Sequence, residues 1–380
     1  MRKFIGMMTI VSFFTLIAYS AHAQSRLNLT GSGARASAMG YAFTGVADDA
    51  TAISWNAAGL TQLMAPELSV IGRVSAGSVT TEGADYAVDR ASDFNLNFAS
   101  FVFPLSMGTS GLVVGGAYRN VFDFNNTTTY TPAETAEKTT YKEKGGVWGI
   151  SPSVAVQFIP NFSIGGTFNI LTGSDTSSWE SNGQSSSNNS KTDYSGSSIE
   201  IGTLAHFNSF SVGANFKLPY TLKMKSNSAE TDLNVPMFFS FGLAFHPFDN
   251  LMLAVDYQAR PWSKATFSSG ETTDVSSGFE DANSVHIGGE FVLSLGGLAI
   301  PLRAGLYTDP KPWKDDENKK ITGTMLTLGT GLAFGNLSLD AGLELGGSTY
   351  RTQLWNGYDY TMANTTDVDV RMTLGATLGL

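Results

Sequence analysis

The stretch DVDVRMTLGATLGL (Asp367–Leu380) at the end of the chain alternates without a break. Val368, Val370, Met372, Leu374, Ala376, Leu378 and Leu380 fall on one side, with Asp367, Asp369, Arg371, Thr373, Gly375, Thr377 and Gly379 on the other. A period of two sends successive side chains to opposite faces of a β-strand. NLSLDAGLEL, LMLAVDYQAR and FSVGANFKLPYTLKMK repeat the pattern. In the last of these the period predicts one apolar face running from Phe210 through Val212, Ala214, Phe216, Leu218, Tyr220 and Leu222 to Met224. These runs have about ten residues or more, the length a tilted strand needs to cross a bilayer. A soluble sandwich alternates as well; strand length and the pattern of connections separate the two. Beyond the N-terminal region no stretch is long and apolar enough for a membrane helix, so a place in a membrane requires a closed barrel, where no strand edge meets hydrocarbon.

The connections alternate between short and long. Short ones carry Gly, Asn, Ser or Pro turn chemistry, near Leu105–Ser110, Pro160–Asn161, Asn208–Ser209, His246–Asn250, Gly296–Gly297 and Gly335–Asn336. Long polar ones lie between them, such as Asn125–Gly145, Gly173–Ser197, Ser268–Ala282 and Ser348–Thr366. Short inner turns with long outer loops are the habit of outer-membrane barrels, and the segments from Pro66 to Leu380 amount to about 14 strands. The expected fold is therefore all-β, a transmembrane antiparallel β-barrel.

The N-terminus is expected to direct export. Arg2 and Lys3 precede an apolar core, Phe4–Ala18, and AHA (Ala21–Ala23) supplies small residues for cleavage, so residues 1–23 read as a signal peptide with Gln24 first in the mature chain. The chain has no cysteine, which removes disulfides, thiolate metal sites and cysteine nucleophiles. Its net charge is −10, which repels phosphate backbones and makes nucleic acid an unsuitable partner.

Residues 24–63 precede the first strand. GSGARASAMGYAFTGVADDATAISWNAAGL (Gly31–Leu60) is rich in small residues and turns, and ADDATAISWNAAGL supports a short helix capped by Asp48 or Asp49 and ended by Gly59. So short a segment forms no stable domain alone but can fold inside a barrel. It is expected to be a hatch in the lumen of a barrel formed by residues 64–380.

The motifs GSGARASAMGYAF, ADDATA and WNAAGL resemble the hatch signature of the outer-membrane long-chain fatty acid and toluene transporter family, the FadL/TodX type. VDYQARPWSKATF and PLRAGLYTDPKP resemble two of that family's strands. Ala57 stands where the family usually has proline, and the chain ends in Leu380 rather than an aromatic residue. The resemblance implies an outer-membrane channel for passive uptake of hydrophobic compounds through an apolar pocket, hatch movement and a side opening. It also implies a monomer whose partners are a hydrophobic small molecule and outer-membrane lipid, with no cofactor. Some barrels of this type serve instead as surface scaffolds or shuttles for protein secretion, and a water-filled porin for polar solutes is a further alternative.

Within this frame, Met39, Phe43, Ile53, Trp55, Leu60, Phe101 and Phe238 are candidates to line the apolar pocket. Arg119, Glu200, Lys217, Asp256, Arg260, Glu290, Arg303, Asp340, Glu344, Asp369 and Arg371 fall on the polar phase of their strands. They are expected to pair inside the lumen, with Arg260 or Arg303 available to a ligand carboxylate. Gly31, Gly33, Arg35, Asn56 and Gly59 are assigned to the hatch, and Gly115 and Gly116 to a kinked strand at a side gate. Enzyme motifs are poorly represented. His22, His206, His246 and His286 lack metal-ligand spacing, no Gly-x-Ser-x-Gly elbow occurs, and a Ser/His pair in the wall is the enzymatic arrangement left open.

Overall fold

A computed structural model describes residues 31–84, 86–92, 94–107, 110–132, 138–181, 184–185, 190–226, 229–269, 275–355 and 360–380. The expected signal peptide and the first residues of the mature chain lie outside the described residues.

Fourteen antiparallel staves form one closed barrel. β1 is Glu67–Thr81, β2 is Tyr86–Ala91 continued by Asn95–Met107, and β3 is Ser110–Asp123 continued by Asn126–Pro132. β4 (Thr139–Ile159), β5 (Phe162–Ser181) and β6 (Ser190–Phe207) are each one segment. β7 is divided into Phe210–Lys217 and Tyr220–Ser226, β8 into Ala229–Val235 and Phe238–Phe248, and β9 into Leu251–Ala259 and Thr266–Ser268. β10 (Ser284–Leu295), β11 (Leu298–Lys314), β12 (Lys320–Phe334), β13 (Leu337–Trp355) and β14 (Tyr360–Gly379) complete the wall. Closure is made by β14 on β1, in register from Glu67 opposite Gly379 to Thr81 opposite Thr365. Every stave thus has two neighbours, and no edge is left for hydrocarbon to desolvate.

The outward phase is apolar around the circumference: Leu68, Val154, Ile199, Leu243, Val255, Leu306 and Leu343 are exposed. The inward phase carries the charges, with Arg119, Glu200, Asp256, Glu290, Arg303 and Glu344 buried. This is the inside-out polarity of a membrane barrel.

One expected face is corrected. The alternation from Phe210 to Met224 is two half-strands, not one. Val212 faces outward, but Tyr220, Leu222 and Met224 are buried inside. Leu218–Pro219 interrupts the stave, and the parity of the side chains reverses across it. Proline has no N–H to offer the ladder, so the chain leaves the pleat and re-enters it on the other phase. β8 reverses in the same way between Val235, which is buried, and Met237, which is exposed.

The segment before β1 lies within the ring of staves. It contains a short helix α1 (Ala34–Ala38) and two single 3-10 turns, Ala50–Ser54 and Ala57–Gln62. These turns replace the one helix expected from ADDATAISWNAAGL. Asp49 caps the first, accepting the Thr51 N–H at 2.8 Å, and Asn56 caps the second, accepting the Ala58 N–H at 3.3 Å. Gly59 lies inside the second turn rather than after it. The division falls at Asn56, whose side-chain amide donates to the carbonyls of Thr44 (3.0 Å) and Thr203 (2.9 Å). Side-chain bonds of this kind compete with helix continuation.

Glycines in the wall admit this segment. A Cβ on Gly213 would collide with the Thr44 carbonyl, on Gly288 with the Met39 carbonyl, on Gly305 with the backbone of Met39 and Gly40, and on Gly342 with the Ser37 hydroxyl. Bare backbone on facing staves is what lets backbone approach backbone.

Candidate functional site

Polar groups on the wall clamp the N-terminal segment. Arg35 donates through Nε and Nη2 to both oxygens of Glu290, each at 2.9 Å, and through Nη1 to Asp48 at 2.5 Å. Arg303 donates to the same Glu290 at 2.6 Å and to Asp340 at 2.6 Å. Tyr41 donates its hydroxyl to Glu344 at 2.6 Å and accepts from Arg73 at 2.8 Å. Asp256 accepts the backbone N–H groups of Phe43 and Thr44 at 2.9 and 2.7 Å. Burial pushes the Asp49 carboxyl up, against the pull of Arg35. Paired and hydrogen-bonded in this way, the buried charges serve as fastenings; removing one partner would strand the other in a low-dielectric interior.

Above these fastenings, on the side of the long hairpins, lies a cavity of about 120 Å³. Gly31, Ser32, Ser54 and Trp55 of the N-terminal segment line it, as do residues of β3, β6, β7, β8 and β9. Its polar side holds three cations, Arg119, Lys217 and Arg260, and one carboxylate, Glu200. Glu200 is paired with Arg119, stands 3.9 Å from the Lys217 ammonium and accepts the amide N–H of Asn169 at 3.2 Å. Arg260 donates to Gln258 at 2.6 Å. The Lys217 ammonium lies 4.9 Å from the centre of the Tyr220 ring, and the Tyr220 hydroxyl is buried with no hydrogen-bond partner. The cavity's apolar side continues into a cluster formed by Phe122, Val147, Leu171, Tyr220, Leu222, Met224, Leu233, Val235 and Trp262, with Phe238 packed against it. A polar end carrying excess positive charge thus meets an apolar end within one recess.

Trp55, Phe238 and Arg260, expected at an apolar pocket, and Gly31, assigned to the hatch, line the cavity. Met39 and Phe43 are buried in one core cluster under the wall, and Ile53 and Leu60 in another. Phe101 is corrected: it was expected on the inner phase, but it is 47% exposed on the outer one, because Ser100 and Val102 take the inward positions of β2. Arg303 is fastened to Glu290 and Asp340 and does not line the cavity. Gly33 lies beside Thr51 within the segment. Gly115 and Gly116 sit in continuous register between Val102 and Phe101 on one side and Ser153 and Pro152 on the other. A Ser/His pair does exist in the wall: Ser284 Oγ is 2.8 Å from His286 Nε2, and the other ring nitrogen is 2.7 Å from the Gly40 carbonyl. Both side chains are buried beneath Gly40, outside the cavity lining, where they act as another fastening.

Sequence reading passed over Asn215, Gln258 and Tyr220 as cavity residues. Asn215 and Gln258 look like ordinary lumen-facing polar positions, and Tyr220 was placed on the wrong face. The signal that marks Tyr220 is Pro219 inside an otherwise regular run.

No family profile matches the chain, and no curated protein sequence does. Solved structures do. A FadL homologue from Pseudomonas aeruginosa has a TM-score of 0.68 at 12% identity, covering 92% of this chain and 98% of that one. The toluene transporter TbuX from Ralstonia pickettii has a TM-score of 0.60 at 14% identity, with 93% and 99% covered. The toluene transporter TodX from Pseudomonas putida has a TM-score of 0.61 at 13% identity, again with 93% and 99% covered. The resemblance drawn from the motifs is met in the fold: this chain has the architecture of the FadL-type outer-membrane transporters.

Proposed function

We propose that this protein is an outer-membrane channel for the passive uptake of hydrophobic compounds, and that the N-terminal segment is its hatch. The observation that carries this reading is the two-sided cavity above the segment, with Trp55 as part of its floor, cations on one side and an apolar cluster on the other. The related folds include transporters of toluene, a neutral hydrocarbon. Here three cations against one carboxylate favour a ligand with an anionic head and an apolar body, which is the chemistry of a long-chain fatty acid. An anion placed there would be stabilised by charge-assisted hydrogen bonds. Passage to the periplasm then requires the hatch to shift, loosening fastenings such as those of Arg35 and Asp256.

Mass spectrometry of small molecules that co-purify with the detergent-solubilised barrel tests the reading. A fatty acid is expected with the intact chain and absent from a variant lacking Gln24–Leu63. A cavity without any acyl or aromatic compound, together with a co-purified protein, would replace transport with the scaffold reading. Lys217→Met/Arg260→Met should weaken oleate binding about tenfold or more, about 1.4 kcal/mol, and leave binding of toluene unchanged.

A further inference from the structure

The wall leaves its regular pleat at two places beside the cavity, and each departure delivers a polar side chain with an unmatched atom. In β3 the register against β4 slips between Asn120, opposite Trp148, and Phe122, opposite Val147. Val121 is the extra residue of a bulge, a device that re-aims neighbouring side chains. Arg119 and Asn120 are accordingly both buried, although consecutive side chains of a regular strand face opposite ways. In β7 the interruption at Leu218–Pro219 turns Tyr220 inward three residues after Lys217. Arg119, Asn120, Lys217 and Tyr220 all line the cavity.

Asn120 Oδ1, the Tyr220 hydroxyl and Arg119 Nε are buried with no hydrogen-bond partner among the described residues. Asn120 is only 7% exposed and Tyr220 8%, so bulk solvent does not substitute for a partner. The Asn120 amide is oriented by its own donor, which bonds the Phe122 carbonyl at 3.2 Å. Its Oδ1 is thereby fixed as an acceptor that calls for an O–H or N–H. Arg119 Nε calls for an acceptor, since its Nη2 is committed to Glu200, and the Tyr220 hydroxyl can give or take a proton. Buried polar atoms left unmatched destabilise the fold until something pairs with them. A fatty acid carboxylate offers acceptors to the cations but no donor to Asn120. Its chain also exceeds a volume of about 120 Å³, which is the scale of a single ring, as about 150 Å³ suffices for benzene. Trp55, Phe122 and Phe238 supply flat apolar surface around that volume. We infer that the cavity binds a single-ring aromatic acid bearing a ring hydroxyl. Its carboxylate lies among Arg119, Lys217 and Arg260, its ring against the aromatic side chains, and its hydroxyl donates to Asn120 Oδ1. The inference rests on the proposed uptake function and names, for the same cavity, a cargo class beyond fatty acids.

Equilibrium dialysis of the intact barrel in nanodiscs against benzoate, meta-hydroxybenzoate and para-hydroxybenzoate reads the hydroxyl directly. At least one hydroxybenzoate is expected to bind about tenfold or more tighter than benzoate, because the analogue without the hydroxyl leaves Asn120 unmatched. Equal affinities for all three acids, or no binding of any, overturn the inference. Asn120→Leu should erase the preference and keep benzoate binding, whereas Tyr220→Phe should weaken all three acids alike. Both variants are checked for the heat-modifiable gel mobility of a folded barrel. A preference that survives Asn120→Leu in a folded barrel overturns the inference as well. The comparison in the unaltered protein decides whether or not a variant folds. Uptake by proteoliposomes tests the parent reading separately. Oleate uptake without any hydroxyl preference leaves transport standing and removes the inference. A hydroxyl preference without uptake of oleate, toluene or hydroxybenzoate removes transport and keeps the binding site.

Discussion

Two neighbouring glycines show how finely the wall is specified. A Cβ on Gly165 would collide with the backbone of Ala57 and Ala58 in the N-terminal segment, whereas a Cβ on Gly166 would meet only the Glu200 carbonyl at 3.7 Å. Gly165→Val should therefore destabilise the packing of the N-terminal segment against the wall by about 1–3 kcal/mol, the usual cost of overpacking. It should raise ion leak in planar bilayers, while Gly166→Val should leave leak at the native level. Arg35→Met makes a second case. It removes the donor that Glu290 and Asp48 share; Glu290 keeps Arg303, while Asp48 loses its partner in a partly buried site, a loss of about 1–3 kcal/mol. A lowered unfolding temperature with an increased leak would bear this out; a native melting curve would not. The polar-phase charges were legible in sequence because alternation assigns them inward, and Arg35 because it belongs to the segment expected in the lumen. The pairing of Arg35 with Glu290 was not, since nothing local ties residues so far apart along the chain.

At the scale of the stave, parity is the property sequence reading gets right until a proline intervenes. The period from Leu251 to Tyr257 survives in the structure, but the period from Phe210 to Met224 is cut at Pro219, and its second half serves the lumen. The outward face changes character there too. Thr221 donates to Asn234 at 2.9 Å on the face that would have been lipid-facing, and Lys223 and Lys225 are exposed. Charge should therefore be tolerated above the prolines and penalised below them. Leu243→Arg is expected to cost about 2–4 kcal/mol in a bilayer-referenced unfolding titration, as an arginine does near the midplane, and Thr221→Arg less than about 1. The hairpin between β11 and β12 is held differently. Slight burial raises the Asp315 carboxyl, but the backbone N–H groups of Lys319, Arg351 and Glu317 outweigh it and hold the pKa below the usual carboxylate value. A depressed pKa adds order that is complete above the unfolded value of about 3.9 and vanishes as pH falls through the folded one. Amide resonances of Glu317 and Lys319 should thus stay fixed from neutral pH to about pH 5 and shift only below about pH 4.

For the whole molecule, strand count and closure could be read from segment length and loop rhythm, because a membrane permits few other solutions. The cavity could not. It is assembled from six separate parts of the chain, and its polar residues resemble every other lumen-facing position until the staves are placed side by side. The seating of the N-terminal segment inside the wall is equally a property of the assembly. Deleting Gln24–Leu63 should leave a folded barrel with a wide aqueous bore, seen as large steady conductance steps in planar bilayers. Silence from such a variant would mean that the wall collapses without its filling.

The row of bare positions facing the segment has a consequence for manufacture. The residues it receives are made before any stave, and β1, which follows them directly, is also the stave on which β14 closes. The chain can therefore be wound like wire on a spindle: its earliest portion stays at the axis, successive hairpins wrap around it, and the seam between β1 and β14 is the last to be sealed.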